Sequence, residues 1–237
     1  VKMVHNGIEY GVMQAIAEVY DLFRRGLGLT NAEMGGIFAR WNEGVLQSFL
    51  MEITAAIFQR EDPETGELVL DLILDRAAQK GTGKWASQDS MDLGYPIPTI
   101  TQAVEARIIS AYKREREGAA QVLEGPDGRY QGDRDAFIQA AEDALYATEI
   151  AAYAQGFGLM RAASAEYEYE LSYSEIAKIW RGGCIIRAQF LDDIRAAYAE
   201  EPGLENFMLA PHFRDGLARR QEGWRRVVRA AVELGIP

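Results

Sequence analysis

The stretch Val1-Lys-Met-Val-His-Asn-Gly-Ile-Glu-Tyr-Gly-Val-Met-Gln-Ala-Ile-Ala-Glu-Val19 sets the fold class. It has no proline, and Ile8, Val12, Ala15 and Val19 recur at the spacing of one helical face. The same pattern continues outward. No proline occurs before Pro63 or between Pro126 and Pro202, and these stretches are rich in Ala, Glu, Leu and Arg. Val45, Phe49, Ile53 and Ile57 form a second stripe, and Val227, Val228, Ala231 and Leu234 a third. Strand-like alternation is scarce; Leu68–Leu74 is the best case, and it fits a helix as well. Breaks are expected at Glu61–Gly66, Gly94–Pro98, Gly125–Gly128 and Glu201–Gly203. The expectation is an all-α domain of roughly ten helices.

An internal repeat refines this. Thr30-Asn-Ala-Glu33 has the form of a capping box, in which the hydroxyl caps the helix start and the glutamate reaches back. Ser172-Tyr-Ser-Glu175 repeats it 142 residues later. Met34–Phe38 then matches Ile176–Trp180, and Phe49–Ile53 matches Phe190–Ile194 with one residue of offset. Helix starts do resemble one another, but three matches in one order favour a duplicated unit, about 1–125 and 126–237.

Composition bounds the function. The 237 residues are 48% hydrophobic and 26% charged, an ordinary globular mixture that excludes disorder and low complexity. No apolar run approaches a membrane span. The single cysteine, Cys184, excludes an intramolecular disulfide framework and a Cys-rich metal site, and points to a reducing cytoplasm. With only His5 and His212, no metal ligand set is expected. A net charge of −11 argues against general nucleic-acid binding. The sequence starts at Val1 inside a helical pattern, which reads as a piece of something longer.

The first helix carries the chemistry signal. A helix advances about 100° per residue. From Lys2, His5 lies at about −60°, Asn6 at about +40°, Glu9 at about −20° and Tyr10 at about +80°. Val4, Gly7, Ile8 and Gly11 take the other face, and the glycines let a neighbour approach closely. A solvated amphipathic face is the bland reading, but His, Asn and Tyr are unusual there. A lysine desolvated in a pocket can act as a base, and a carboxyl in the same pocket as an acid.

Lys80-Gly-Thr-Gly-Lys84-Trp85 combines glycines, a hydroxyl and two cations. Exposed N–H groups and lysine charge suit an anion, although the spacing is not that of a P-loop. A glycine-rich turn with solvated lysines is the alternative. Arg107 can join as a bidentate phosphate partner or form an ordinary surface ion pair. In Trp180-Arg-Gly-Gly-Cys-Ile-Ile-Arg187 the glycines interrupt a helix, and Cys184 reads as a small buried hydrophobe rather than a nucleophile.

At these residues the sequence resembles the 6-phosphogluconate dehydrogenase family. Lys2–Gly11, Lys80–Trp85, Tyr153–Phe157 and Ile179–Ala188 occur in the family's order. The resemblance runs from Lys2 to about residue 236 and implies the large helical domain, which forms most of a homodimer interface. The implied reaction is the NADP-dependent oxidative decarboxylation of 6-phosphogluconate to ribulose 5-phosphate and carbon dioxide, in the pentose phosphate pathway. By the same resemblance Lys2 is the base and Glu9 the acid. His5 and Asn6 bind substrate oxygens, with a contact of Asn6 to the nicotinamide left open. Tyr10, Lys80, Thr82 and Arg107 match phosphate-binding positions. NADP would be held mainly by an N-terminal Rossmann domain that this sequence lacks, so NADP rather than NAD is the family default. The family's tail, which supplies an arginine and a histidine to the partner's site, is also absent. Val12 stands where the family has aspartate, and a local hydrogen-bond change is expected there. Alone, the chain is expected to be inactive. Two alternatives remain: a related β-hydroxyacid dehydrogenase acting on a non-phosphorylated acid, and a non-catalytic helical dimerisation module.

Overall fold

A computed structural model describes residues 1–79 and 81–237. Among them are eleven α-helices and no strand, as the patterning predicts. The first seven are α1 (Lys2–Asp21), α2 (Asn31–Trp41), α3 (Phe49–Ile57), α4 (Val69–Leu72), α5 (Thr82–Asp92), α6 (Pro98–Ala111) and α7 (Lys113–Ala120). The remaining four are α8 (Arg134–Glu166), α9 (Tyr173–Trp180), α10 (Leu191–Glu200) and α11 (Pro211–Leu234). Every expected break falls between helices. None of the described helices is long and apolar enough to cross a membrane.

The 33-residue α8 is the central post, with α1 and α11 packed against it. Its stretch Ala140–Met160 is buried over most of its length, and α1 lays Val4, Ile8, Val12, Ala15 and Val19 into the same core. The other side of α1 meets α5 and α6. Two glycines permit that approach. A Cβ on Gly7 would stand 3.1 Å from Ile100 Cγ2 and 3.2 Å from Ala86 Cβ, and one on Gly11 3.2 Å from Ala152 Cβ. Each glycine costs its helix about 1 kcal/mol relative to alanine, which the close packing offsets.

The two segments matched in sequence each open on a capped helix. Thr30 and Glu33 form the full reciprocal capping box, and Ser172 accepts from the Glu175 N–H. The helices that follow pair up, α2 with α3 and α9 with α10. The links preceding α3 and α10 meet in an antiparallel bridge. The Phe49 N–H donates to Arg187 O at 3.0 Å, and the Gln189 N–H to Gln47 O at 2.9 Å.

Two stripes are corrected. α3 begins only at Phe49, because the Ser48 side chain caps it by accepting from the Met51 N–H. Val45 therefore lies outside the helix and is exposed, as is Ile57, and α3 buries Leu50 and Met51 instead. In α11 Val228 faces outward, while Val227 and Leu234 pack inward. Leu68–Leu74 forms one short helical turn, α4, with Leu72, Ile73 and Leu74 exposed.

Two aromatic clusters anchor the ends of the core. Phe38 contacts Phe23, Trp41 and Phe58. Phe157 contacts Trp180, Tyr198 and Phe207. Burial of each such ring contributes roughly 1.5–3 kcal/mol. The second cluster also backs the polar face of α1.

Candidate active-site face

The helix that carries Lys2, His5, Asn6, Glu9 and Tyr10 has one buried side, Val4, Gly7, Ile8 and Gly11, as its pattern predicts. Of the polar residues, Lys2 is exposed and His5, Asn6 and Glu9 are half-buried. Tyr10 differs: its ring is buried against Ala103 and Val104 of α6. The five thus form a gradient from solvent to core rather than one open face.

α5 starts beside this helix. Gly81 sits before it at φ +102°, a backbone conformation that favours glycine. The turn brings Thr82 to α1, where the Asn6 amide Nδ2 donates to Thr82 Oγ1 at 3.0 Å. Asn6 Oδ1 lies 3.2 Å from His5 Nδ1. Gly83 then packs so tightly that a Cβ would come within 3.0 Å of the Tyr10 ring and 2.9 Å of Val104. Lys80 lies outside the described residues. Lys84 and Trp85 point to solvent.

Arg107, from α6, stacks its guanidinium 4.2 Å over the Tyr10 ring. It makes no ion pair among the described residues, so its donors stay open to a ligand rather than forming the surface pair weighed above. Arg107, Tyr10, Thr82 and Asn6 are therefore brought together where α1 meets the consecutive helices α5 and α6, some 75 to 100 positions later.

The Trp180–Arg187 segment closes the other flank. The Trp180 ring meets His5 edge-on, centroids 5.8 Å apart. His5 Nε2 is buried and has no hydrogen-bond partner among the described residues. The Tyr153 hydroxyl of α8 donates to Ile186 O and ties the loop to the core. Cys184 donates to Trp180 O, and its thiol is pushed up, chiefly by burial, with the nearby Glu9 charge adding to the rise. The sequence reading has Cys184 as a small buried hydrophobe; the structure leaves it half-buried.

Burial raises the Glu9 carboxyl, and the charges of His5 and Arg107 pull it partly back. A carboxyl held protonated can deliver a proton. Lys2 does not lie in a pocket; it is exposed at the first helical position. A lysine becomes a good base only when desolvated, and the described residues do not desolvate Lys2. A groove of about 620 Å³ lies elsewhere, at the α5–α6 turn, lined by Tyr95, Ile97, Thr101 and Glu105 among others, and holds none of these residues.

Two residues escaped the sequence reading. Trp180 stood in a recognised segment, but helical spacing does not show that it reaches back to His5. Glu149 is 1% exposed, lacks a partner for Oε1 among the described residues, and burial pushes its carboxyl up to about 8. Val12 is also buried in the core, at 3% exposure.

The comparisons fit this geometry. The family model for the 6-phosphogluconate dehydrogenase C-terminal domain matches residues 1–237. The decarboxylating 6-phosphogluconate dehydrogenase of Citrobacter freundii is 53% identical over 100% of this chain and 53% of its own length. That of Synechocystis is 50% identical, again over 100% of this chain and 49% of its own. The chain spans about half the length of the curated relatives it matches. Plasmodium falciparum 6-phosphogluconate dehydrogenase, whose structures include complexes with its cofactor NADP+ and its substrate 6-phosphogluconate, superposes with a TM-score of 0.93. It is 41% identical, over 100% of this chain and 51% of its own. A polar α1 face braced by α5, α6 and the Trp180–Arg187 loop, together with these matches over every residue, places the chain in the 6-phosphogluconate dehydrogenase family, as its C-terminal domain.

Proposed function

We propose that this chain is the helical part of an enzyme that oxidatively decarboxylates 6-phosphogluconate, and that α1 supplies both its base and its acid. The observation that carries the reading is the junction of α1 with the Gly81–Gly83 turn and Arg107. It sets acid–base groups and anion-binding groups side by side, linked by the Asn6–Thr82 hydrogen bond.

In this reading Arg107, the Thr82 hydroxyl, Tyr10 and Lys80 hold the substrate phosphate. His5 and Asn6 hold oxygens at the reacting end. Lys2 takes the proton of the C3 hydroxyl as the hydride leaves that carbon, and returns it to the carbonyl oxygen when carbon dioxide departs. Glu9 protonates C1 of the resulting enediol. NADP, held mainly outside this chain, would supply the hydride acceptor. The described residues form no strand–turn–helix cradle for a dinucleotide, and Asn6, with one amide N–H and one oxygen lone pair still unused, keeps the capacity for a single contact to the nicotinamide.

A second copy of the chain fits the exposed apolar surface at Leu72, Ile73, Leu74, Ile109 and Tyr112. That region is stiffened by Asp75, which pairs with Lys113 and Arg116. The single free cysteine accords with a reducing, cytoplasmic setting.

The test is reduction of NADP by the enzyme at the full length of its relatives, with 6-phosphogluconate compared against gluconate. Turnover that depends on the phosphate supports the reading. Equal turnover of the unphosphorylated acid refutes the role given to Thr82 and Arg107.

A further inference from the structure

We infer that Thr82, acting through Asn6, is a positioning residue that fixes the tautomer of His5, with the proton on Nδ1 and Nε2 presented as a lone-pair acceptor for a ligand hydroxyl. The argument starts from the two amide contacts. Asn6 Nδ2 donates to Thr82 Oγ1 at 3.0 Å, so Oδ1 is the amide atom facing His5 Nδ1 at 3.2 Å. A carbonyl oxygen only accepts, so Nδ1 must carry the proton. Neutral imidazole then has its lone pair on Nε2. That atom is buried, has no partner among the described residues, and lies in the ring that Trp180 covers edge-on. A buried polar atom with nothing to bond calls for a reason, and a hydroxyl group that enters with its ligand supplies one.

One other arrangement joins the same three groups. Turning the Asn6 amide over would let the Thr82 hydroxyl donate to Oδ1 and Nδ2 donate to His5 Nδ1. Nε2 would then carry a buried proton with no acceptor, and orphaned buried N–H donors are rarer than orphaned acceptors. It would also turn the Thr82 hydroxyl hydrogen inward. In the inferred arrangement that hydrogen is free to donate to an anion at the Gly81–Gly83 turn. The hydrogen bonds then run in one direction, from His5 to Asn6 to Thr82 to the anion, and bonds in such a chain polarise one another. An anion at Thr82 makes Nε2 a better acceptor at the other end. The identity of that anion as a substrate phosphate rests on the function proposed above; the tautomer does not.

The experiment uses the chain labelled with 15N-histidine, at about pH 8, read by long-range 1H–15N correlation spectra. Only His5 and His212 contribute. His5 is expected to show a protonated Nδ1 and an unprotonated Nε2. His212, exposed with its Nε2 3.5 Å from Asp193 Oδ2, is expected to show the opposite pattern. Thr82→Val is expected to bring the two His5 nitrogens toward a common averaged shift, and Thr82→Ser to restore their separation. Far-ultraviolet circular dichroism checks that the helices persist; if Thr82→Val does not fold, the unsubstituted chain and Thr82→Ser decide. A His5 proton on Nε2, or a folded Thr82→Val with an unchanged pattern, overturns the inference. Inorganic phosphate is then added. A further shift of His5 that Thr82→Val abolishes supports the directed chain. The inferred tautomer with no response to phosphate upholds the positioning role and refutes the turn as an anion site, so the two readings fail separately.

Discussion

Replacing Glu149 by glutamine should change how the stability of this protein depends on pH. Glu149 sits in the middle of α8 at 1% exposure, and its Oε1 has no partner among the described residues. Burial raises its carboxyl from 4.5 to about 8, and no compensating cation contributes. It also helps push the Tyr153 hydroxyl well above its usual range, after burial itself. Between those two pH values the folded protein holds a proton that the unfolded chain releases. Stability therefore falls as pH rises, by about 1.4 kcal/mol per pH unit. The contribution is fully present below 4.5 and lost through about 8; across that gap the loss is about 5 kcal/mol. Glutamine keeps the shape and cannot ionise. Its buried amide adds a constant cost, which leaves the slope untouched. The assay is urea unfolding of both proteins between about pH 6 and pH 8.5. The difference in unfolding free energy should move in favour of Glu149→Gln by roughly 3 kcal/mol over that range. Glu9 and Glu18 are also raised, but both proteins carry them, so their effect cancels. Parallel curves would show that Glu149 finds a cation or water in solution, and would refute the reasoning.

Two further outcomes follow from the packing and charge of α1. Gly156→Ala drives a Cβ to 2.5 Å from Ile8 Cδ1 and 3.1 Å from Val4 Cγ1; overpacking less the helix gain leaves a net loss of roughly 1–2 kcal/mol and a Tm lower by about 2–8 °C, which calorimetry checks and an unchanged Tm would refute. Because the Glu9 carboxyl is raised, an acid role for Glu9 keeps its proton to higher pH than an ordinary glutamate and loses it as pH rises through that value. The rate of the full-length enzyme should then fall on the alkaline side, and Glu9→Gln should lower the rate by about 10²–10⁴-fold and remove that fall.

Much of this was legible in the residues. Local signals acted locally: the missing prolines, the stripe from Ile8 to Val19 and the caps at Thr30 and Ser172 foretold helices in place. The Gly7 and Gly11 pair foretold the close approach of α5, α6 and α8. The α3 stripe misled because periodicity ignores caps, and Ser48 starts the helix after Val45. Other features are tertiary. No spacing shows that Trp180 reaches His5 across 175 positions, that Arg107 lies on Tyr10, or that Glu149 is sealed without a partner. The pocket expected around Lys2 is not formed among the described residues, where Lys2 is exposed at the start of α1.

The most direct test of the central claim is NADP reduction by the full-length enzyme with 6-phosphogluconate, comparing Lys2 with Lys2→Met. The account predicts a loss of about 10²–10⁴-fold in turnover on removing the base, with substrate binding and helix content retained. Turnover by Lys2→Met close to that of the unaltered enzyme would contradict it, and would move the base off α1.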